Sequence, residues 1–301
     1  MKIIAPKYYN DFKCIAGKCK HTCCALWEMP VDEKAIDYYK SLDEENSRWV
    51  LGKIERDDEP HFCMSGNRRC AFLRDDGLCE MINRLGEKSL CSVCKEHPRF
   101  YNLLSDRCET GLGLCCEEAV RVVMTSESDE LVEVGFDDEP CTFSDEVEKT
   151  TLDLRSKAFA IMDEMGTLNE KILRLEKLFS VPKKATKVKD MLSLFLTLEE
   201  LESGFHELLS RAQTDGAIKS EYGEKLTRLL KYFIYRHTTL SESEYDFAVR
   251  LGFCTLSVRI VDALVRGKDE NYFFEAVRRY CAEIEYSDDN MITLMGELAW
   301  E

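Results

Sequence analysis

The chain has 301 residues, of which 45% are hydrophobic and 33% charged, and its formal net charge is −16. This length favours two domains or one large one, and the acidic charge argues against general attraction to nucleic acid. No run of 18 apolar residues is present, and the start, Met1-Lys-Ile-Ile-Ala-Pro-Lys7, is too short and too soon interrupted for a secretory signal. We therefore expect a cytoplasmic protein without nucleic-acid or membrane partners.

Cysteine is the most informative residue type in this sequence. There are fifteen cysteines, and thirteen of them precede residue 142. An odd count without a secretory signal fits poorly with disulfides. Reduced thiols placed this densely usually hold metal or carry out redox chemistry.

The first region, residues 1–125, contains the cysteines and few long periodic runs. Its pattern predicts short helices and no convincing set of alternating strands. The helices are predicted at Asp32–Leu42, Asn46–Ile54, Leu78–Leu85 and Glu117–Met124. Residues 126–143 follow as an acidic, solvated linker, because no Lys or Arg occurs from Glu127 to Glu148. A brief extended piece is predicted within it at 131–134.

From Ser144 onward, apolar residues recur at spacings of three and four, which indicates helices. Ser144 is predicted as an N-cap, and Thr167 and Ser241 each begin a capping box with a glutamate three residues later. The remaining helices are predicted at Lys187–Glu202, Glu221–Arg236, Glu242–Val265, Asn271–Ile284 and Asp289–Trp300. The two late cysteines, Cys254 and Cys281, are expected to be ordinary core residues.

These patterns predict a mainly α protein. A cysteine-rich metal-binding region with short helices (1–125) and the acidic linker (126–143) precede an α-helical bundle (144–301).

Thiolates select zinc and iron–sulfur clusters among biological metals. The spacings Cys14 to Cys19 and Cys91 to Cys94 suit either centre, so spacing alone leaves both open. A radical S-adenosylmethionine motif is excluded because position 26 is Leu26. A thioredoxin-like role for Cys91-Ser-Val-Cys94 lacks the surrounding βαβ unit, and His97 is more readily a structural histidine than a ligand.

The ordered motifs resemble the flagellin lysine-N-methylase family, whose cysteine region belongs to the CxxCxxCC metal-chelate group. The resemblance covers most of the chain. The motifs are Phe12-Lys-Cys14, Cys19, Cys23-Cys24, Trp27, Cys70-Ala-Phe-Leu73, Gly77-Leu-Cys79, Leu85-Gly-Glu-Lys88, Cys94-Lys-Glu-His-Pro-Arg99, Leu114-Cys-Cys-Glu-Glu-Ala119 and Lys231-Tyr-Phe-Ile-Tyr-Arg236. The chain departs from the family pattern at Glu117, where Pro is usual, and at Leu26, where Gly is common.

This resemblance implies an iron–sulfur cluster, of the 4Fe-4S type, with zinc as the other metal that the thiols suit. It also implies S-adenosylmethionine as methyl donor and the ε-amino groups of flagellin lysines as acceptors. The matching cysteines, and thus the candidate metal ligands, are Cys14, Cys19, Cys23, Cys24, Cys70, Cys79, Cys94 and Cys116. Cys63, Cys91, Cys108, Cys115 and Cys141 are additional.

Lysine methylation requires a neutral amine aligned with the sulfonium methyl group, so a proton must leave the lysine. Nothing in the sequence selects the base. Tyr232, Tyr235 and Arg236 are candidates for a pocket, although packing and a salt bridge in the helical bundle are the more readily expected roles. The rival hypothesis is a non-enzymatic module in which a metal stabilises a cysteine-rich platform and the helices bind a partner protein.

Overall fold

The computed structural model describes residues 1–57, 59–66, 68–137, 141–142, 144–212 and 216–300. The strands are β1 Lys2–Pro6, β2 Ile54–Glu55, β3 His61–Phe62, β4 Arg99–Leu103, β5 Arg107–Leu112 and β6 Leu131–Phe136. The helices are α1 Glu33–Lys40, α2 Glu44–Leu51, α3 Glu80–Leu85, α4 Ser92–Glu96, α5 Glu117–Thr125, α6 Glu146–Asp163, α7 Leu168–Leu178, α8 Lys183–Thr186, α9 Val188–Phe195, α10 Phe205–Ser210, α11 Gly223–His237, α12 Glu244–Val265, α13 Glu270–Ile284 and α14 Asp288–Ala299.

Helices account for 54% of the protein, so the predicted mainly α class is confirmed. None of the helices in the described ranges is both long enough and apolar enough to cross a membrane.

The chain divides into two compact units. The cysteine-rich unit consists of Lys13–Arg99 and Cys116–Glu118, and the helical unit consists of Met1–Phe12, Phe100–Cys115 and Ala119–Glu301. These units differ from the predicted ranges 1–125, 126–143 and 144–301, because the chain enters and leaves each unit more than once. The acidic segment 126–143 contains strand β6, and its residues 138–140 and 143 lie outside the described residues.

A four-stranded sheet, which the sequence did not predict, lies in the helical unit. Its strand order is β4-β5-β1-β6, with β1 parallel to β5 and antiparallel to β6. Its strands have only five or six residues, and β5 is buried continuously from Glu109 to Leu112. An alternating apolar pattern is therefore weak in this sheet.

Helix α12 is the centre of the helical unit. Of its 22 residues, 18 are buried, and α6, α7, α11, α13 and α14 all pack against it. A helix that is apolar on all sides must be buried in this way. Cys254 and Cys281 are fully buried here, which confirms their prediction as core residues.

Helix caps explain where several helices begin. The capping box of Thr167 and Glu170 at the start of α7 is confirmed. The other two predicted caps are each displaced along the chain. Asp145, rather than Ser144, caps α6, and Ser243, rather than Ser241, caps α12. In each case the side-chain oxygen of the capping residue accepts the backbone N–H of the residue three positions later in the chain. Any Asp or Ser close to the start of a helix can do this.

The helix predicted at Lys187–Glu202 is shorter than expected, because α9 ends at Phe195. The Glu283 carboxylate accepts the backbone N–H groups of Leu201 and Glu202 at 2.7 and 2.6 Å. Asn290 Oδ1 similarly accepts the N–H of Glu199 at 2.9 Å. These hydrogen bonds to distant side chains replace the backbone hydrogen bonds that a longer helix would form. The periodicity of the sequence cannot reveal them.

The cysteine-rich unit has short elements and a compact apolar core. Asp32 and Asp43 cap α1 and α2, which have eight residues each. Tyr39 and Phe72 are buried in the core, and the Tyr39 hydroxyl donates to the Ser89 carbonyl at 2.8 Å. Isolated helices of this length are marginal in water, so their order depends on packing and on the loops between them.

Candidate metal centre

All eight predicted metal ligands lie in the cysteine-rich unit, although they span a hundred residues of sequence. Cys116 belongs to this unit, whereas its neighbour Cys115 belongs to the helical unit. No disulfide involves any cysteine of the chain. The thiols form two groups that differ in exposure.

The outer group consists of Cys14, Cys19, Cys23 and Cys116. Cys14 and Cys23 are exposed, and the other two are half-buried. Cys14 and Cys116 lie close enough to Cys23 to raise its pKa electrostatically, and Cys116 acts in the same way on Cys19.

Backbone hydrogen bonds position the outer group. The Ala16 N–H donates to Cys14 Sγ at 3.4 Å, and the Cys19 thiol donates to the His21 carbonyl at 2.5 Å. The Glu117 carboxylate accepts the N–H of Lys20 at 2.9 Å. This hydrogen bond therefore fixes the cysteine loop next to the beginning of α5.

The inner group consists of Cys24, Cys70, Cys79, Cys91 and Cys94. All five belong to the apolar cluster of the unit, and the exposed fractions of Cys70 and Cys91 are only 6% and 1%. The Cys70 N–H donates to the Cys24 carbonyl at 2.8 Å, which joins two distant segments of the chain. The inner group is therefore enclosed by side chains such as Phe72 and Met81.

Two inner cysteines lie at the beginnings of short helices. Cys79 is the N-cap residue of α3 and Cys91 is the N-cap residue of α4. At Cys70 and Cys79 burial raises the pKa of the thiol, and nearby backbone N–H groups only partly offset this rise. The thiolate is the form that binds metal.

Two thiol pairs have opposite pKa shifts. The hydrogen bond between Cys23 and Cys24 lowers the pKa of Cys24 to about 7 and raises that of Cys23. The hydrogen bond between Cys91 and Cys94 likewise lowers the pKa of Cys91 and raises that of Cys94.

Burial makes three of the thiols harder to ionise. Burial raises the pKa of Cys19 and of Cys70 to about 12, and burial also raises the pKa of Cys79. Because a bound metal replaces the thiol proton, metal binding at these residues releases protons and is favoured by higher pH.

The thiols are spread more widely than in a closed zinc site. Among the described residues, no three thiols have sulfur atoms all within 4.8 Å of one another. In a tetrahedral zinc site with Zn–S bonds of about 2.3 Å, neighbouring sulfur atoms are about 3.8 Å apart. A cubane cluster takes one thiolate on each of four iron atoms, so its ligands are farther apart.

Trp27 and His97 belong to the same unit as the thiols. The Trp27 indole N–H donates to the Cys23 carbonyl at 3.0 Å, and the His97 ring stacks on the indole with centroids 6.0 Å apart. Burial lowers the pKa of His97 to about 4, so this imidazole is neutral at pH 7. The structural role expected for His97 agrees with this packing.

Cys91 was not among the predicted ligands, yet it belongs to the inner group and is hydrogen-bonded with Cys94. The two-residue spacing of Cys91 and Cys94 was the available signal. The other additional cysteines lie elsewhere: Cys63 is half-buried next to Glu55, and Cys108, Cys115 and Cys141 belong to the helical unit.

The candidate pocket residues lie in the helical unit. Tyr232 and Tyr235 line a cavity of about 220 Å³ together with Lys231, whose Nζ lies 2.8 Å from Asp129 and 2.6 Å from Asp163. Burial raises the pKa of both tyrosines, so neither is a base at neutral pH.

Arg236, the third pocket candidate, has a packing role. Its guanidinium lies over the rings of Phe100 and Tyr286 and pairs with the Glu285 carboxylate at 3.4 Å. These contacts are those of a structural cation in the helical unit.

Comparisons of the chain with models of known protein families, with characterised proteins and with solved structures gave no match. The local geometry of the thiols is therefore the main basis for a functional conclusion.

Proposed function

We propose that the cysteine-rich unit binds an iron–sulfur cluster of the 4Fe-4S type. The observation that carries this proposal is the assembly of Cys14, Cys19, Cys23, Cys24, Cys70, Cys79, Cys94 and Cys116 in one unit, without disulfides. Thiolates are the ligands that such clusters prefer, and a cubane needs four.

We further propose that the protein is a cytoplasmic lysine N-methyltransferase. It would transfer a methyl group from S-adenosylmethionine to ε-amino groups of flagellin. The ordered motifs shared with the flagellin lysine-N-methylase family support this activity. A bound cluster would supply redox-active, Lewis-acidic iron, and thiols of the cysteine-rich unit would hold it.

The acceptor lysine must lose its proton before it attacks, because an ammonium has no free electron pair. Tyr232 and Tyr235 are unsuited to this step, since burial keeps both phenols protonated. We expect an acidic side chain or water to remove this proton.

Methyl transfer from isotopically labelled S-adenosylmethionine to purified flagellin tests this function directly. Anaerobically prepared protein should label lysine side chains of flagellin, and mass spectrometry should locate the added methyl groups. The Cys254→Ser variant, altered in the core of the helical unit, is the matched control that should retain labelling. Full metal content without labelling of flagellin would contradict the methylase and support the rival metal-stabilised interaction module.

A further inference from the structure

The cavity of about 220 Å³ that Tyr232 and Tyr235 line belongs entirely to the helical unit. Its walls are residues of β1 and the turn after it, of the segment that begins β6, of α6 and of α11. Pockets for drug-sized ligands have volumes of about 300–1,000 Å³. This cavity is smaller, and its size suits one extended side chain or a comparably small molecule.

Tyr8 brings an unused polar group to this cavity. It lines the cavity and is only 4% exposed, yet no residue in the described ranges forms a hydrogen bond with its hydroxyl. The hydroxyl of Tyr232, by contrast, donates to the Glu285 carboxylate at 3.1 Å. That of Tyr235 donates to the Thr110 carbonyl at 3.0 Å. Buried polar groups nearly always have a partner, so the Tyr8 hydroxyl is available to a ligand.

The charges around the cavity favour a cation. Its lining contains three carboxylates, those of Asp129, Glu130 and Asp163. All three side chains belong to exposed residues, so they attract cations from solution. Asp163 is also the last residue of α6, where the helix dipole adds partial negative charge.

Lys231 shows which cation these carboxylates accept. Its ammonium group lies 2.8 Å from Asp129 and 2.6 Å from Asp163. The apolar walls suit the methylene chain of an amine, because Phe159 and the ring of Tyr235 also line the cavity. Aromatic rings attract ammonium groups through their faces as well.

We propose that this cavity binds the alkylammonium side chain of a lysine presented by a partner protein. The methylene chain packs against the aromatic rings, and the ammonium group donates to the Tyr8 hydroxyl and to the carboxylates that Lys231 now contacts. That this lysine is the methyl acceptor rests on the proposed function. Recognition of the ammonium group does not.

Nuclear magnetic resonance titration of the intact protein with Nα-acetyl-lysine N-methylamide tests this assignment without flagellin or S-adenosylmethionine. The lysine amide should give saturable shifts. The corresponding norleucine amide, which lacks the amino group, should give none. Equal binding of the two amides would show an apolar cavity without ammonium recognition and would overturn the proposal.

Tyr8→Phe should weaken binding of the lysine amide by about tenfold, because it removes a hydrogen bond to a charged group. It should leave the thermal transition unchanged, since the hydroxyl has no partner to lose among the described residues. Tyr245→Phe alters an exposed tyrosine of the helical unit outside the cavity and is the matched control. Unchanged affinity in Tyr8→Phe would contradict the assignment.

Lys231→Met distinguishes a cation site from an anion site. It frees the Asp129 and Asp163 carboxylates, so the lysine amide should bind about tenfold more tightly. Weaker binding to a folded Lys231→Met variant would overturn the proposal. So would binding of n-butylamine without binding of the lysine amide, which would assign the cavity to free amines.

The methyl-transfer assay separates this proposal from the proposed function. Labelling of flagellin by a protein that does not bind the lysine amide would overturn the cavity assignment and leave the methylase intact. Saturable binding of the lysine amide, weakened in Tyr8→Phe, supports the cavity assignment even where flagellin is not labelled.

Discussion

The helical unit and the cysteine-rich unit contain very different amounts of regular structure. In the helical unit, α12 alone has 22 residues, 18 of them buried. In the cysteine-rich unit, α1 and α2 have eight residues each, and β2 and β3 have two. Apolar periodicity therefore organises the helical unit, whereas loops rich in thiols dominate the cysteine-rich unit. The comparison indicates that a metal can supply the order that short elements lack.

The helical unit contains buried ion pairs, whereas the cysteine-rich unit contains the candidate metal-binding thiols. The Glu109 carboxylate forms a bidentate pair with Arg155, at 2.5 and 2.8 Å, and both side chains are almost fully buried. Removing the metal and breaking this pair should therefore affect different units.

Metal removal should have the largest effect. Chelation should unfold the cysteine-rich unit, because structural metal sites contribute on the order of 10 kcal/mol to folding. Hydrogen exchange should show lost protection in α1 and α2, while α12 stays protected. Equal loss of protection in α1 and α12, or no loss in either, would contradict the separation of the two units.

Breaking the buried pair should have the next largest effect. Glu109→Gln leaves the Arg155 charge buried without its partner and should lower the free energy of unfolding by about 3–5 kcal/mol. Glu146→Gln, which removes the exposed pair with Lys149, is the matched control and should cost less than about 1 kcal/mol. Denaturant unfolding of both variants gives the values; equal costs would show that burial does not matter.

Two histidines should give the units opposite responses to pH. Burial lowers the pKa of His237, even though it contacts Glu285 at 2.6 Å, so the unfolded state binds its proton more readily. Stability from His237 is thus present above about pH 6.5 and is lost as the pH falls. His237→Gln should weaken the acid sensitivity of the helical unit.

His61 in the cysteine-rich unit has the opposite shift. The Glu59 carbonyl, 2.8 Å from Nδ1, raises its pKa, so its stabilising contribution is present at low pH and is lost as the pH rises. Thermal denaturation of His61→Gln and His237→Gln between pH 5 and about pH 8 checks both signs. Parallel pH profiles for the two variants would be inconsistent with this assignment.

The smallest effect concerns Leu26, at a position where Gly is common in the family that the sequence resembles. Leu26 has φ 77°, in the left-handed region that costs a non-glycine residue about 1–2 kcal/mol. Leu26→Gly should therefore stabilise the cysteine-rich unit. The gain in the free energy of unfolding is reduced by about 0.5–1 kcal/mol, because glycine also gives the unfolded chain more conformational freedom. Leu26→Ala, which keeps the strain, is the control, and a glycine variant less stable than the alanine variant would contradict the prediction.

The sequence predicted the helices with strong apolar periodicity, such as α7, α12 and α13, because local spacing determines them. It did not predict the sheet, since β1 pairs with β5 and β6 from more than a hundred residues away. It also placed the end of α9 too late, because Glu283 and Asn290 capture the backbone there. Contacts between distant residues leave no periodic signal.

For the candidate site, the sequence predicted eight cysteines as metal ligands, and the structure places all of them in one unit. Their metal binding stays a prediction. Cys91 was missed because it is outside the motif, and its role depends on the short helix α4 that brings it next to Cys94. Cys23 is exposed and Cys24 is half-buried, a difference that depends on packing and that adjacent positions in a sequence do not disclose.

Iron and acid-labile sulfide in anaerobically purified protein test the central claim most directly. The protein should contain both in comparable amounts and absorb in the visible region through thiolate-to-iron charge transfer. Cys19→Ser should lower the iron content, whereas Cys254→Ser should leave it unchanged. Stoichiometric zinc without iron, or iron that is lost in Cys254→Ser but retained in Cys19→Ser, would contradict an iron–sulfur centre in the cysteine-rich unit.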